Sequence, residues 1–433
     1  MPSKSLPVVQ VKPLLKGSPE YEAGRAAVLE EFAAKVPDNL RLPIDLINNP
    51  PKNVTGVPKE CGLLTPEELA ITEEYDATAL AGLVASKKLT AVAITTAFSK
   101  RAIIAHQLTG CLTEWFMDDA VEQAKRLDEH LQSTGKTIGL LHGVPISVKE
   151  HLPLAGHYSS IGLYDARVKD EEDCHIVAAL RDAGAVFYCK TNMPQGIMHL
   201  DTSSSWGRTL NPHNIRLSAG GSSGGEAALL AMRGSVLGIG SDIGGSVRNP
   251  AAFCGIYGFK PTSCVVPRKG LVAGGAIAEL NILTTAGPLC NSLRDMDLFM
   301  SILAQHLERD QFRCDFARHW ESQDVDFVIC PVSFGPECEH EMSYYPNYTA
   351  FWNYVDYPCA VVPTPIRAGK KGVEGYAADG PAPLSKDDEH VRQMREEGDS
   401  EGAPVNLQIV ARKYHDNDLF AALEKMQWVL ELP

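Results

Sequence analysis

The chain has 433 residues, with 54 Asp and Glu against 40 Lys and Arg, and a net charge of −14. That acidic balance disfavours nucleic acid or an anionic membrane surface as the main partner. The composition is that of an ordinary soluble globular protein, and the length allows up to about three domains of ~150 residues or one large α/β unit.

Met1 to Gly17 mixes Pro, Lys and Ser without an apolar core, so no signal peptide is expected. No apolar run approaches the ~20 residues of a spanning helix, and the expected location is the cytoplasm. Residues 19–36 place Ala, Glu and Leu at helical spacing and predict a helix. Pro and Asn residues across 37–58 predict a loop. Thr65-Pro-Glu-Glu supplies N-cap chemistry for another helix, and 75–108 and 117–132 read as further amphipathic helices.

Near residue 138 the rhythm changes. The β-like runs 144–149 and 185–190 flank the helical stretch 174–184. Such alternation predicts an α/β core with partly parallel strands. Further strands are expected at 235–242, 324–332, 359–365 and 405–412, and a closing helix at 417–430. Residues 367–403, rich in Gly, Pro and charge, read as a long polar surface loop, disordered at Lys386–Glu401. The eleven cysteines are scattered, with no CxxC pair, and read as reduced thiols, most of them buried. No ligand cluster suits zinc, and neither metal nor cofactor is expected. Asn53-Val-Thr and Asn347-Tyr-Thr match the glycosylation pattern but lack a secretory context.

Candidate chemistry gathers in Ser218–Thr262, where the clusters GGSSGG and DIGGS flank an apolar segment. Ser246 closes the run Asp242-Ile-Gly-Gly. Glycines there let the chain bend, and successive N–H groups from Ile243 to Ser246 can face a developing oxyanion. Read alone, the run is more often a Gly-rich turn capping a helix. Ser222 and Ser223 lie before the helical run 226–233, where a plain N-cap is the commoner role. GGSSGG also matches G-x-S-x-G twice, but no strand precedes it as a nucleophile elbow requires. No G-K-[ST] follows, and Ile243 replaces the third glycine of G-x-G-x-x-G, which disfavours nucleotide binding. Lys149 ends the apolar run 144–149. By itself it reads as a strand-end lysine reaching solvent, and the functional alternative is a desolvated amine with a lowered pKa.

Taken together, 139–151 (GLLHGVPISVKEH), 190–195 (KTNMPQ), 207–212 (GRTLNP) and the whole of 218–262 resemble the amidase signature family, with weaker echoes to residue 417. The helical lead resembles the fungal acetamidase or general amidase branch. The resemblance implies an α/β fold, a central mixed β-sheet covered by helices on both faces, in a single domain over 1–433. Within it, 1–75 is a helical lead and 138–266 the signature core. It implies a Ser–cis-Ser–Lys triad: Ser246 as nucleophile, Ser222 in a cis peptide as proton relay, and Lys149 as base. The oxyanion hole maps onto the amides of Ile243, Gly244, Gly245 and Ser246, with the backbone near Ile197 lining the acyl pocket. Asp242 and Arg248 support the loop. A small-molecule amide is the expected partner, and the resemblance also allows a homodimer.

The sequence departs from the family pattern in three places. Ser204-Ser205 stand where the family shows Asn and one more residue, and Asn406 and Ala411 replace glycines. The connection 301–323 is short where relatives carry a long stretch, so some sheet elements are expected to be missing. Three functions are therefore weighed: a serine amidase releasing ammonia through an acyl-enzyme, a shortened amidase-like protein without catalysis, and a glutaminase subunit of a tRNA-dependent amidotransferase.

Overall fold

Nine strands form one sheet in the computed structural model, which describes residues 5–263, 265–266, 270, 282–304, 325–333, 347–354, 357–370, 382–412 and 414–430. They are β1 (Leu112–Trp115), β2 (Pro145–Lys149), β3 (Val186–Thr191), β4 (Leu237–Asp242), β5 (Tyr257–Lys260), β6 (Thr285–Cys290), β7 (Phe327–Pro331), β8 (Cys359–Arg367) and β9 (Pro404–Ala411). Their spatial order is β1-β3-β2-β4-β6-β5-β8-β9-β7. β2 runs parallel to both β3 and β4, and every other pairing in the sheet is antiparallel. Three parallel strands thus sit inside an otherwise antiparallel sheet, and all their residues are buried. Continuous apolar runs such as Val186-Phe-Tyr-Cys suit strands covered on both faces.

Helices pack around this sheet to complete the α/β fold. Pro19–Ala34 is capped by Ser18, and Pro66–Glu74 carries a capping box between Thr65 and Glu68. The helical segments expected over 75–108 are Ala77–Ala85 and Ala91–Thr109, the second almost wholly buried. Met117–Thr134, His175–Asp182, Leu293–Ala304 and Asp416–Val429 fall where helical spacing predicts them or beside the strands they cover. Among the described residues no helix is long and apolar enough to cross a membrane.

Three local expectations differ from the structure. The 37–58 loop contains short helical turns at Asp38–Leu40, Ile44–Asn48 and Val57–Glu60, because Pro43 and Pro58 sit where a first turn tolerates proline. Lys386–Glu397, read as disordered loop, is a helix. Ser385 caps it by accepting from the Asp388 N–H at 3.1 Å, and Arg392 pairs with Asp388 one turn on. β1, β5 and β6, which gave no clear strand signal, each complete a pairing in the sheet. Most of the short connection, 305–323, lies outside the described residues, as does 371–381 of the polar stretch.

Candidate active site

β2 and β3 end level with each other while β4 runs on past them, and each of the three parallel strands ends on a functional group: Lys149 on β2, Thr191 on β3 and Asp242 on β4. Carboxyl ends of parallel strands are where α/β sheets hold their ligands. Lys149 is directly opposite Thr191 in the ladder. Its amine is fully buried rather than in solvent, and lies 2.7 Å from Ser222 Oγ and 3.0 Å from Ser241 Oγ. Burial lowers its pKa to about 7, against the opposing pull of Asp242, Glu226 and Glu150. Near neutral pH an amine with such a pKa can accept a proton as well as donate a hydrogen bond.

Ser222 follows a cis Gly221–Ser222 peptide and is fully buried. The space around that bond is closed by backbone. A side chain on Gly221 would lie 2.4 Å from the His199 carbonyl oxygen, and one on Gly220 2.7 Å from Pro250 Cα. Ser223 takes the N-cap position of the helix Gly224–Ala231, yet its side chain does not cap the helix, and its buried Oγ finds no hydrogen-bond partner among the described residues. The Ser223 N–H instead donates to the Ser246 carbonyl at 3.1 Å, and this bond ties the two serine-bearing loops together. Ser246 is only 6% exposed. Among the described residues no hydrogen bond joins Ser222 Oγ to Ser246 Oγ, so the contact that is closed is the one between lysine and the middle serine.

The loop from Asp242 to Arg248 is built around one carboxylate. Asp242 Oδ1 accepts from the Gly245 N–H at 2.8 Å and Oδ2 from the Val247 N–H at 3.1 Å. Arg248 grips both oxygens through Nε and Nη2, each at 3.0 Å. The guanidinium holds the Asp242 carboxyl far below the usual carboxylate range despite complete burial. Gly245 has φ +118°, and a Cβ there would fall 2.0 Å from Thr349 Oγ1, so glycine is required. Of the four amides assigned to an oxyanion hole, that of Gly245 is thus already committed to Asp242. Those of Ile243, Gly244 and Ser246 have no intramolecular partner among the described residues. Beside Gly244 a Cβ would meet nothing within 4 Å, so the bend opens onto free space.

Ile197 adopts a left-handed φ of +72° in the loop whose next residues close over Gly221, and it is 9% exposed. A cavity of about 550 Å³ is lined by Gln195, His199 and Asp201 together with Tyr21 and Arg25, and its lining includes none of Lys149, Ser222 and Ser246. Sequence reasoning missed Ser241, Thr349, Asn353 and Gln408. Thr349 Oγ1 donates to the Gly244 carbonyl at 2.8 Å, Asn353 Nδ2 donates to Asp242 at 2.9 Å, and Gln408 accepts from Arg248 at 2.8 Å. Only Ser241 carried a signal, since it precedes Asp242 on the face-alternating strand. The others lie more than a hundred residues downstream.

A family model described as amidase matches residues 93–311. A putative amidase of Schizosaccharomyces pombe is 34% identical over an alignment of 500 residues that takes in 86% of this chain and 93% of that protein. That alignment is longer than the chain itself, so the relative carries residues with no counterpart here. An amidase of Gibberella zeae is 45% identical over 59% of this chain and 47% of its own length, and an acetamidase of Emericella nidulans 43% over 65% and 52%. The chain spans about half the length of these two. Among solved structures, a fatty acid amide hydrolase superposes with a TM-score of 0.84 at 26% identity over 95% of both chains. A peptide amidase of Stenotrophomonas maltophilia gives 0.63 at 17% identity over 83% and 97%, a likeness of fold alone.

Proposed function

This chain belongs to the amidase family and is an amidohydrolase, and on that footing we propose that it cleaves a small or aryl carboxamide to carboxylate and ammonia through an acyl-enzyme on Ser246. The observation that carries this reading is the wholly buried Lys149 amine, 2.7 Å from Ser222 Oγ, with its pKa lowered to about 7. A neutral amine at that position accepts a proton, and the hydroxyl beside it passes one on.

In this mechanism Lys149 takes the Ser222 proton while Ser222 takes that of Ser246, and Ser246 Oγ attacks the carbonyl carbon. The developing oxyanion meets the unpartnered amides of Ile243, Gly244 and Ser246. Donors fixed in advance cost no reorganisation as charge appears. When the C–N bond breaks, the proton returns through Ser222 to the departing nitrogen, because an amide anion is too poor a leaving group to leave unprotonated. Water then attacks the acyl-enzyme by the same relay, releases the acid and restores Ser246. The Ser222–Ser246 link, open in the free protein, closes as substrate is held, since catalytic hydrogen bonds tighten in the complex.

A fluorophosphonate probe tests this reading. It should label the folded protein at Ser246 and fail on Ser246→Ala, with acetamide, benzamide and a long-chain fatty amide assayed side by side to define the acyl group. A folded protein that resists labelling would favour the non-catalytic alternative, to which the extra length of the relatives lends its support. Glutaminase activity that appears only with partner subunits would favour the amidotransferase reading.

A further inference from the structure

Glu226 is fully buried in the helix Gly224–Ala231, behind the strand that carries Lys149. Its Oε1 lies 2.8 Å from Thr191 Oγ1, the residue opposite Lys149 in the ladder. Its Oε2 lies 2.6 Å from Ser147 Oγ, two residues before Lys149 on the same face of β2. A side chain on Gly238 of β4 would fall 2.1 Å from that oxygen, so the carboxyl is clamped between three strands and one helix.

The hydrogens in this cluster can be counted. Ser147 Oγ also lies 2.9 Å from Ser235 Oγ, and Ser235 Oγ lies 3.0 Å from the Leu237 carbonyl, which only accepts. The row Glu226–Ser147–Ser235–Leu237 therefore contains three close contacts, and both serines are completely buried. Two hydroxyls supply two protons. An ionised carboxylate at one end and a carbonyl at the other are both pure acceptors, which leaves one contact as two facing lone pairs. A protonated Glu226 supplies the third hydrogen: it donates to Ser147, Ser147 to Ser235, and Ser235 to Leu237. Among the described residues the Tyr188 hydroxyl, which also approaches Ser235, donates to the Gly234 carbonyl at 2.6 Å and so adds no hydrogen to the row.

We propose that Glu226 is a positioning residue held as a neutral carboxylic acid, and that its lack of charge keeps the Lys149 amine available as a base while its hydrogen bonds fix the ends of β2 and β3 around that amine. This deepens the amidase reading and rests on it for the role of Lys149. The groups facing Glu226 fit the assignment. Lys149 comes from β2, Tyr188 and Cys189 from β3, and Cys111 from the turn before β1. Burial pushes both thiols and the phenol upward, so all three are neutral and none compensates an anion. Burial also raises the Glu226 carboxyl to about 8. An anion at this place would stabilise the ammonium form of Lys149 and remove the base.

The test reads the proton directly and then the reaction. Infrared spectra at pH 7 of protein with ¹³C-labelled glutamate should contain a protonated-carboxyl band that Glu226→Gln lacks. Absence of that difference overturns the proposal whatever the enzyme's activity. If Glu226→Gln does not fold, Ser147→Ala, which removes the acceptor, must shift the same band, and an unshifted band assigns the proton elsewhere and overturns it as well. In rate measurements Glu226→Gln, a neutral isostere, should keep the acidic limb of kcat/KM in place. An ionised Glu226 would instead have raised the Lys149 pKa, and its removal would move that limb to lower pH. Glu226→Ala, which drops both strand contacts, should lower kcat on the order of 10- to 100-fold.

Discussion

Two buried acid–base pairs share this core, and they meet the cost of burial in opposite ways. The Asp242 carboxylate and the Arg248 guanidinium touch through two contacts, and every oxygen and most guanidinium nitrogens find further partners in Gly245, Val247, Asn353 and Gln408. Both stay charged. Lys149 and Glu226 do not touch. Each is surrounded by hydroxyls, and each is driven toward its neutral form by burial, the amine down to about 7 and the carboxyl up to about 8. Contact and a full set of hydrogen bonds preserve charge, whereas separation and a shortage of donors remove it. The charged pair holds a loop in shape, and the pair driven toward neutrality leaves an amine able to accept a proton.

Arg248→Met should have the largest effect on stability. It strands the Asp242 carboxylate without its cation, and a broken buried pair costs about 3–5 kcal/mol. Urea unfolding should report that loss, and Asp242→Asn in the same chain should recover part of it. Lys149→Met should do the reverse: little loss of stability but roughly a thousandfold or greater fall in kcat for amide hydrolysis. In the folded chain the Lys149 pKa lies below its unfolded value, so the unfolded state binds the extra proton between pH 7 and 10.5. Wild-type stability therefore rises with pH across that window, and Lys149→Met should flatten the rise in thermal melts taken at several pH values.

Glu226→Gln removes the titration of the buried carboxyl. Its folded pKa is raised from 4.5 to about 8, so the native state holds a proton that the unfolded chain has released. Stability falls as pH climbs through that window, and the glutamine variant should gain in Tm over wild type from pH 5 to pH 8. The pH profile of kcat/KM should rise through one ionisation near 7, that of Lys149. A profile flat down to pH 5 would remove the amine from the role of base. The smallest effect belongs to Thr349→Val, which drops the hydrogen bond to the Gly244 carbonyl and should cost about 1 kcal/mol with a modest loss of rate.

Local chemistry made much of this protein legible. The apolar run ending at Lys149 predicted β2, the run ending near Lys190 predicted β3, and Thr65 with Glu68 predicted a capped helix. Gly245 next to Ser246 pointed to a bend. Lys386–Glu397 misled because its charge and its Gly- and Pro-rich flanks suggested disorder, while the Ser385 cap and the Asp388–Arg392 pair support a helix at short range. β1 and β6 gave no period to read: β1 has four residues, and β6 carries Gly287 and Pro288 inside its span.

Motif order alone singles out Lys149, Ser222 and Ser246 as candidates, because the glycines around them demand particular backbone shapes. Whether that lysine can accept a proton depends on the folded core around it. A lysine is a base only where water is excluded from its amine, and the strands, loops and helix that exclude it come from across the chain. Asn353 and Gln408 reach Asp242 and Arg248 from more than a hundred residues away, and Glu226 and Ser235 meet Ser147 across about eighty. Desolvation and hydrogen-bond supply are properties of an enclosed space, and no stretch of sequence contains one.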